Sequence, residues 1–246
     1  MDELREHPQV AELIDTLGKN DMHKEKVEVE SLVDYIGEME KTLSEMLKEM
    51  QNMRKEISLI HNSTLRSKCQ NLVQKTEGKI KQIFAVIGKI KDNFIQAAGN
   101  AIKTFKEKGK EAFKKAVRAM KVPETFDKLS GLFGKFSKDI EQDVAQINSM
   151  QTELTGAKNH LKNVGRLLVG KPAKEAEQEK SDKGILSRLG KVFGKIGRGF
   201  ETLSQKAMDK ADKIRAADVK ESVRYELDAL KGIKGAPGKS DPIRDR

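Results

Sequence analysis

The sequence predicts an all-α protein, an elongated antiparallel helical bundle or coiled coil of four to five long helices. Three observations lead to this prediction. Only 4% of the 246 residues are aromatic and none is Trp, while Lys, Glu, Leu, Met and Ile fill long runs, a composition typical of long helices. Apolar residues recur at heptad spacing along several of these runs. No run alternates apolar and polar residues as a half-buried strand does.

The composition and residue spacing do not indicate a catalytic, metal-binding or phosphate-binding site. The single cysteine, Cys69, excludes a disulfide framework and a cysteine-based zinc site. The four histidines lie far apart, and the glycine-rich stretches at 197–199 and 238–240 each lack a glycine that a phosphate-binding motif requires. We therefore expect no metal, no cofactor, no catalytic residue and no small-molecule substrate, and we do not expect an enzyme.

Residues 1–26 are predicted to hold a short helix, beginning at Pro8, and a polar connection. A strict heptad pattern then runs from Val29 to Ile60 over more than four heptads. Several of its positions are Met, which packs adaptably and specifies a partner weakly. Beyond Val29, the pattern predicts a coiled-coil seam formed by Leu32, Ile36, Met39, Leu43, Met46, Met50, Met53, Ile57 and Ile60.

A second helix follows the short connection at Asn62, which favours an antiparallel neighbour. Residues 27–61 are acidic and residues 65–98 basic, so we expect the two to pair as a hairpin. From 78 to 121 the apolar residues fall within one arc of a helical wheel, with most lysines outside it. The sequence leaves open whether Gly99 divides this helix in two.

A third helix is predicted to begin at Val122-Pro123, because the residue before proline avoids helical geometry. It keeps heptad spacing to Leu168 and completes a heptad-rich unit of residues 27–170. Asp143 occupies one of its seam positions, where it either sets the register or turns out to water.

The rest of the chain is predicted to contain one further helix. Residues 171–184 are charged, carry no large apolar side chain and predict an exposed linker. A basic amphipathic helix is expected over 185–231, and its many glycines weaken it. The composition of residues 232–246 predicts a disordered tail.

The net charge of +10 leaves three interpretations of the basic helices. Their apolar arcs pack on the heptad helices, with lysines paired or facing water; or they bind nucleic-acid backbone; or they lie on an anionic membrane surface. The candidate polyanion-binding residues are Lys103, Lys110, Lys114, Lys115, Arg118, Lys121, Lys183, Arg188, Lys191, Lys195 and Arg198. The candidate membrane-contact residues are Phe193, Ile196 and Phe200.

The stretches HPQVAELIDTL and VESLVDYIGEMEKTLSEMLKEM, within residues 7–60, resemble uncharacterised helical proteins encoded on conjugative elements of gut Clostridia-type bacteria. This resemblance implies a bacterial cytoplasm and a mobile-element setting, with no catalytic residues to carry over. The acidic N-terminus predicts no signal peptide, and no apolar run reaches the roughly 20 residues of a membrane helix. Any membrane contact is therefore expected to be peripheral, at the inner membrane.

The sequence thus predicts a non-catalytic interaction or scaffold protein, an accessory protein of a mobile element. It would engage a protein partner, or a second copy of itself, through heptad seams. The alternative is a polyanion binder without sequence preference, directed at nucleic-acid backbone or an anionic membrane.

Overall fold

The computed structural model describes residues 3–174 and 184–233. These ranges contain no strand, and the prediction of an elongated all-α bundle is confirmed. The predicted tail, from residue 234 onwards, and residues 175–183 of the predicted linker lie outside the described residues. The helices are α1 (Glu3–Glu6), α2 (Pro8–Lys19), α3 (His23–Ser58), α4 (Ser63–Arg118), α5 (Val122–Leu168) and α6 (Ile185–Ile233).

Four long helices form the bundle, and each is antiparallel to the next along the chain. Helices α3 and α4 pack as a hairpin, α5 and α6 form the most closely packed pair, and α6 returns to α3. The Tyr35 hydroxyl of α3 donates a hydrogen bond to the Leu203 carbonyl of α6, and burial raises the pKa of this phenol. The short helix α2 packs against α3 and α4.

The heptad pattern of α3 forms the centre of the core. All predicted seam residues from Leu32 to Ile57 are buried, and Ile60 is partly buried beside them. Full burial of one such side chain contributes about 1.5–3 kcal/mol. At the end of the hairpin, Asn62 Oδ1 accepts a hydrogen bond from the Leu65 amide at 2.9 Å and caps α4.

Helix α4 continues through Gly99, and its break lies at Gly109 instead. Gly109 has φ 75° and ψ −170°, a conformation open to glycine and strained for other residues. At Gly99 a Cβ atom would lie 2.9 Å from the side chain of Gln9 in α2. Gly99 therefore lets α2 approach α4, and the possibility that it divides the helix is excluded.

Small residues set the close packing of α5 against α6. A Cβ atom at Gly197 would lie 3.3 Å from Cγ2 of Ile140, and the Ser137 hydroxyl donates to the Gly197 carbonyl at 3.1 Å. The small side chains of α6 recur every seven residues, as Gly190, Gly197, Ser204 and Ala211. The glycines of α6 were predicted only to weaken the helix, but Gly197 also allows a close contact with α5.

The acidic side chains of α3 pair with the basic neighbouring helices. Lys91 reaches Glu40 from within the apolar arc of α4, at 2.8 Å. The ion pairs between α3 and α6 include Glu49–Lys195 at 3.0 Å and Glu56–Arg188 at 3.1 Å. Exposed pairs contribute only about 0–1 kcal/mol each. The apolar arcs of the basic helices therefore pack inside the bundle, and several of their cations pair with the acidic helix.

Candidate interaction surface

Helix α5 extends beyond the end of the bundle. The α3–α4 turn and the start of α6 mark that end, and Thr155 of α5 lies beside Leu65 and Ile185 there. From this level α5 continues to Leu168, about 20 Å at a rise of about 1.5 Å per residue. We call residues 154–168 the α5 extension.

One face of the α5 extension is an apolar stripe that no helix of the described residues covers. The heptad residues Ile147 and Met150, just before it, are buried in the bundle. Past them Leu161 is 74% and Leu168 82% exposed. Monomeric proteins seldom expose contiguous rows of such side chains. We define the apolar stripe as Leu154, Ala157, Leu161, Val164 and Leu168, all of which are exposed.

The chain returns along the opposite, polar face of the extension. Asn163 Nδ2 donates to the Lys174 carbonyl at 2.9 Å, and Asn163 Oδ1 accepts from the Lys174 amide at 3.1 Å. Arg166 Nε donates to the Pro172 carbonyl at 2.9 Å. Because Asn163 and Arg166 lie away from the heptad positions, residues 171–174 leave the apolar stripe uncovered.

Apolar side chains also lie around the base of the extension. A cleft of about 150 Å³ is bordered there by Leu65, Leu154 and Leu186. Leu59, in the α3–α4 turn at the same end, is 75% exposed. The apolar stripe therefore leads onto an apolar end of the bundle.

A second surface of interest lies at the end of α4. A cleft of about 560 Å³ opens there, lined among others by Lys114, Arg118 and Lys121, together with Glu25 and Glu124. Arg118 Nε lies 3.7 Å from Oε1 of Glu25, whose side chain is nearly buried. The cleft therefore combines both signs of charge, and its own carboxylates offset part of its positive potential.

The structure does not bring the predicted polyanion-binding residues together. Those on α4 lie towards its C-terminal end, whereas those on α6 lie near its start, at the other end of the bundle. Arg188 and Lys195 are engaged by Glu56 and Glu49, and Lys183 lies outside the described residues. Within the described part of the chain, no ion pair is made by Lys110, Lys114, Lys115 or Lys121.

The predicted membrane-contact residues are not at the surface, and that prediction is corrected. Phe193 and Phe200 are 0% exposed and Ile196 is 2% exposed. The ring of Phe200 stacks on that of Phe133 with centroids 6.1 Å apart, and lies 5.9 Å from that of Phe136. Within the described ranges, every helix is too short or too polar to cross a membrane.

The described residues also include no group of three His, Cys, Asp or Glu side chains placed to hold a metal ion. No curated protein and no solved structure matches the chain. Residues 6–244 match a family of unknown function, DUF6674. Because this match covers nearly the whole chain, the protein belongs to the DUF6674 family.

Proposed function

We propose that this protein is a non-catalytic helical interaction protein that binds a helix of a protein partner through the apolar stripe. The observation that carries the proposal is the change in exposure along α5. The same heptad row is buried up to Met150 and exposed from Leu154 onwards. A row with this spacing is the surface that an amphipathic helix recognises.

The size of the apolar stripe suits a partner that covers all of it. Burial of one large apolar side chain contributes about 1.5–3 kcal/mol. Association costs about 4–15 kcal/mol in lost translational and rotational freedom. Burial of only one or two side chains would therefore not stabilise a complex. The resemblance of residues 7–60 would place such an interaction in a mobile-element setting.

Photo-cross-linking tests this proposal. A photoreactive amino acid at position 161 should cross-link a helical segment in the source cell, identified by mass spectrometry of the adduct. The matched control carries the same amino acid at Val27, which is 64% exposed on α3 and lies outside the stripe. Equal cross-linking at the two positions, or none at 161, would contradict the proposed function.

A second candidate function is contact with nucleic-acid backbone at the end of α4. It is favoured by the exposed Lys110 and Lys115, which, with Lys114, make no ion pair within the described ranges. Neutralised phosphates release counterions, so such binding should weaken steeply with salt. The test is binding of random-sequence duplex DNA by the wild type and by Lys110→Gln/Lys114→Gln/Lys115→Gln. Lys195→Gln, at a paired lysine, is the control.

Absence of binding by the wild type at low salt would reject this second function. So would binding that the triple substitution leaves unchanged. Anionic vesicles serve as a comparison ligand, because a purely electrostatic contact would not distinguish them from DNA.

A further inference from the structure

We propose that the occupant of the apolar stripe is the α5 extension of a second copy, packed antiparallel so that two bundles lie end to end. This inference rests on the proposed function, since it names the partner of the same surface. The two copies would be related by a two-fold axis, and each would present the same stripe to the other.

Two segments, residues 171–184 and residues 234–246, are unsuited to cover the apolar stripe. Residues 171–184 carry no large apolar side chain, and 171–174 run on the polar face. Helix α6 begins at the base of the extension and has 49 residues, so its end lies about 70 Å away. From there residues 234–246 reach at most about 45 Å even when fully extended.

The direction of the stripe requires an antiparallel partner. It continues the face that α5 turns towards the core, so it looks across the end of the bundle. A parallel α5 helix placed on the stripe would run on into the volume of α3, α4 and α6. An antiparallel helix arrives from the open side, and its own bundle lies beyond the tip of the extension.

The lengths of the two surfaces match in this arrangement. With Leu161 of each copy beside Val164 of the other, Leu168 lies beside Ala157 and Gly170 beside Thr155. The tip of each helix thus reaches the level where the other bundle ends. Each stripe is covered by the partner helix from Ala157 to Leu168, and Leu154 lies beside Lys171 of the other copy, just beyond the end of its α5.

Charge also permits this register. Lys158 of each helix faces Gly165 of the other, and His160 faces Leu167. No like charges oppose each other beside the seam, where they would oppose association. The apolar stripe continues the heptad row that packs inside each bundle. The same spacing of apolar residues would therefore form both the core of the bundle and the contact between the two copies.

The oligomeric state of the purified protein tests the inference. Light scattering on a size-exclusion column should give twice the 27.6 kDa of one chain for the wild type and for Val27→Glu. Leu161→Glu/Val164→Glu should give one chain, with at least a tenfold loss of dimer. The free energy of unfolding of this variant should equal that of the wild-type monomer, because the α5 extension lies outside the core.

The orientation is tested by disulfide cross-linking. A mixture of Lys158→Cys and Gly165→Cys proteins should form a mixed disulfide. Lys158→Cys alone should not, because its two copies would lie about 13 Å apart along the axis at about 1.5 Å per residue. The native Cys69 is buried and does not compete. Ready self-cross-linking of Lys158→Cys would overturn the antiparallel arrangement.

The outcomes separate this inference from the function on which it rests. A wild type that is monomeric at about 100 µM overturns the second copy as occupant, as does a dimer that survives Leu161→Glu/Val164→Glu. If the photo-cross-link at position 161 then joins a different protein, the proposed function stands and only its partner changes. If position 161 captures the α5 extension of a second copy of this protein, the proposed function and the inference are both supported.

Discussion

Truncation of Phe200 distinguishes a core role for the start of α6 from a surface role. The side chain is 0% exposed and packs against the rings of Phe133 and Phe136. A membrane-facing Phe200 could be replaced by Ala with little effect on folding. In this structure the substitution removes a ring from the interface between α5 and α6.

The magnitude follows from the burial. Phe→Ala substitutions in protein cores cost about 3–5 kcal/mol, and each aromatic pair adds about 0.5–1.5 kcal/mol beyond its area. We expect the free energy of unfolding to fall by about 4 kcal/mol for Phe200→Ala. For a chain of this size, about 2–4 °C per kcal/mol gives a Tm lower by about 8–16 °C.

Thermal unfolding followed by circular dichroism at 222 nm measures this effect. Met208→Ala is the control, since this apolar side chain of the same helix is 44% exposed and surface substitutions usually stay within about 0.5 kcal/mol. A Tm for Phe200→Ala within about 2 °C of that control would refute the packing described for α6.

Two further predictions concern α4 and its contact with α5. Gly109→Ala should lower the free energy of unfolding by about 1–3 kcal/mol, because φ 75° strains any side chain there. Gly88→Ala, where a Cβ meets nothing within 4 Å, should raise the free energy of unfolding by about 1 kcal/mol. If chemical denaturation showed that both substitutions change this free energy in the same direction, the break at Gly109 would be contradicted. The hydrogen bond from Lys79, 2.9 Å away, lowers the pKa of Asp139, so this pair stabilises the fold above the unfolded pKa of about 3.9. That stability is lost as the pH falls through the folded pKa, and Lys79→Met should flatten the acid limb of a stability–pH curve.

Much of the fold could be predicted because periodicity identifies the face that a helix buries. The heptads of α3 identified most of its buried residues but not Val33 and Tyr35, and the apolar arc identified those of α4, such as Ile83 and Phe94. The start of α5 followed from Val122-Pro123, and the cap of α4 from Asn62. These are local signals, and they stay valid whichever neighbour supplies the cover.

Periodicity does not identify the neighbour that covers a face. The row at Phe193 and Phe200 has the pattern of a membrane-binding helix, but α5 covers it. The row at Leu161 continues that of Ile147, but nothing in the described chain covers it. The difference depends on where the other helices end, which the sequence of α5 does not contain. The seven-residue repeat from Gly190 to Ala211 is the sequence signal that indicates close packing of α6 against α5.

Asp143 shows how a polar residue in a seam can be tested. The structure places it in the bundle with its side chain 2% exposed, and Oδ1 accepts from Lys75 Nζ at 2.8 Å. Its Oδ2 has no hydrogen-bond partner among the residues that the structure describes. The Lys75 side chain is 53% exposed, so it can return to water when the carboxylate is removed. The buried position favours the register-setting interpretation over one in which Asp143 turns out to water.

The two sides of this pair should therefore respond unequally to substitution. Lys75→Met leaves a buried carboxylate without compensation, and loss of one partner of a buried pair costs about 3–5 kcal/mol. We expect about 3 kcal/mol here because the lysine is half exposed. Asp143→Leu removes the buried charge itself and should be near neutral or stabilising. In urea unfolding, the double variant should match Asp143→Leu within about 0.5 kcal/mol. If Asp143→Leu cost as much as Lys75→Met, the carboxylate would stabilise the bundle directly, and a role limited to setting the register would be wrong.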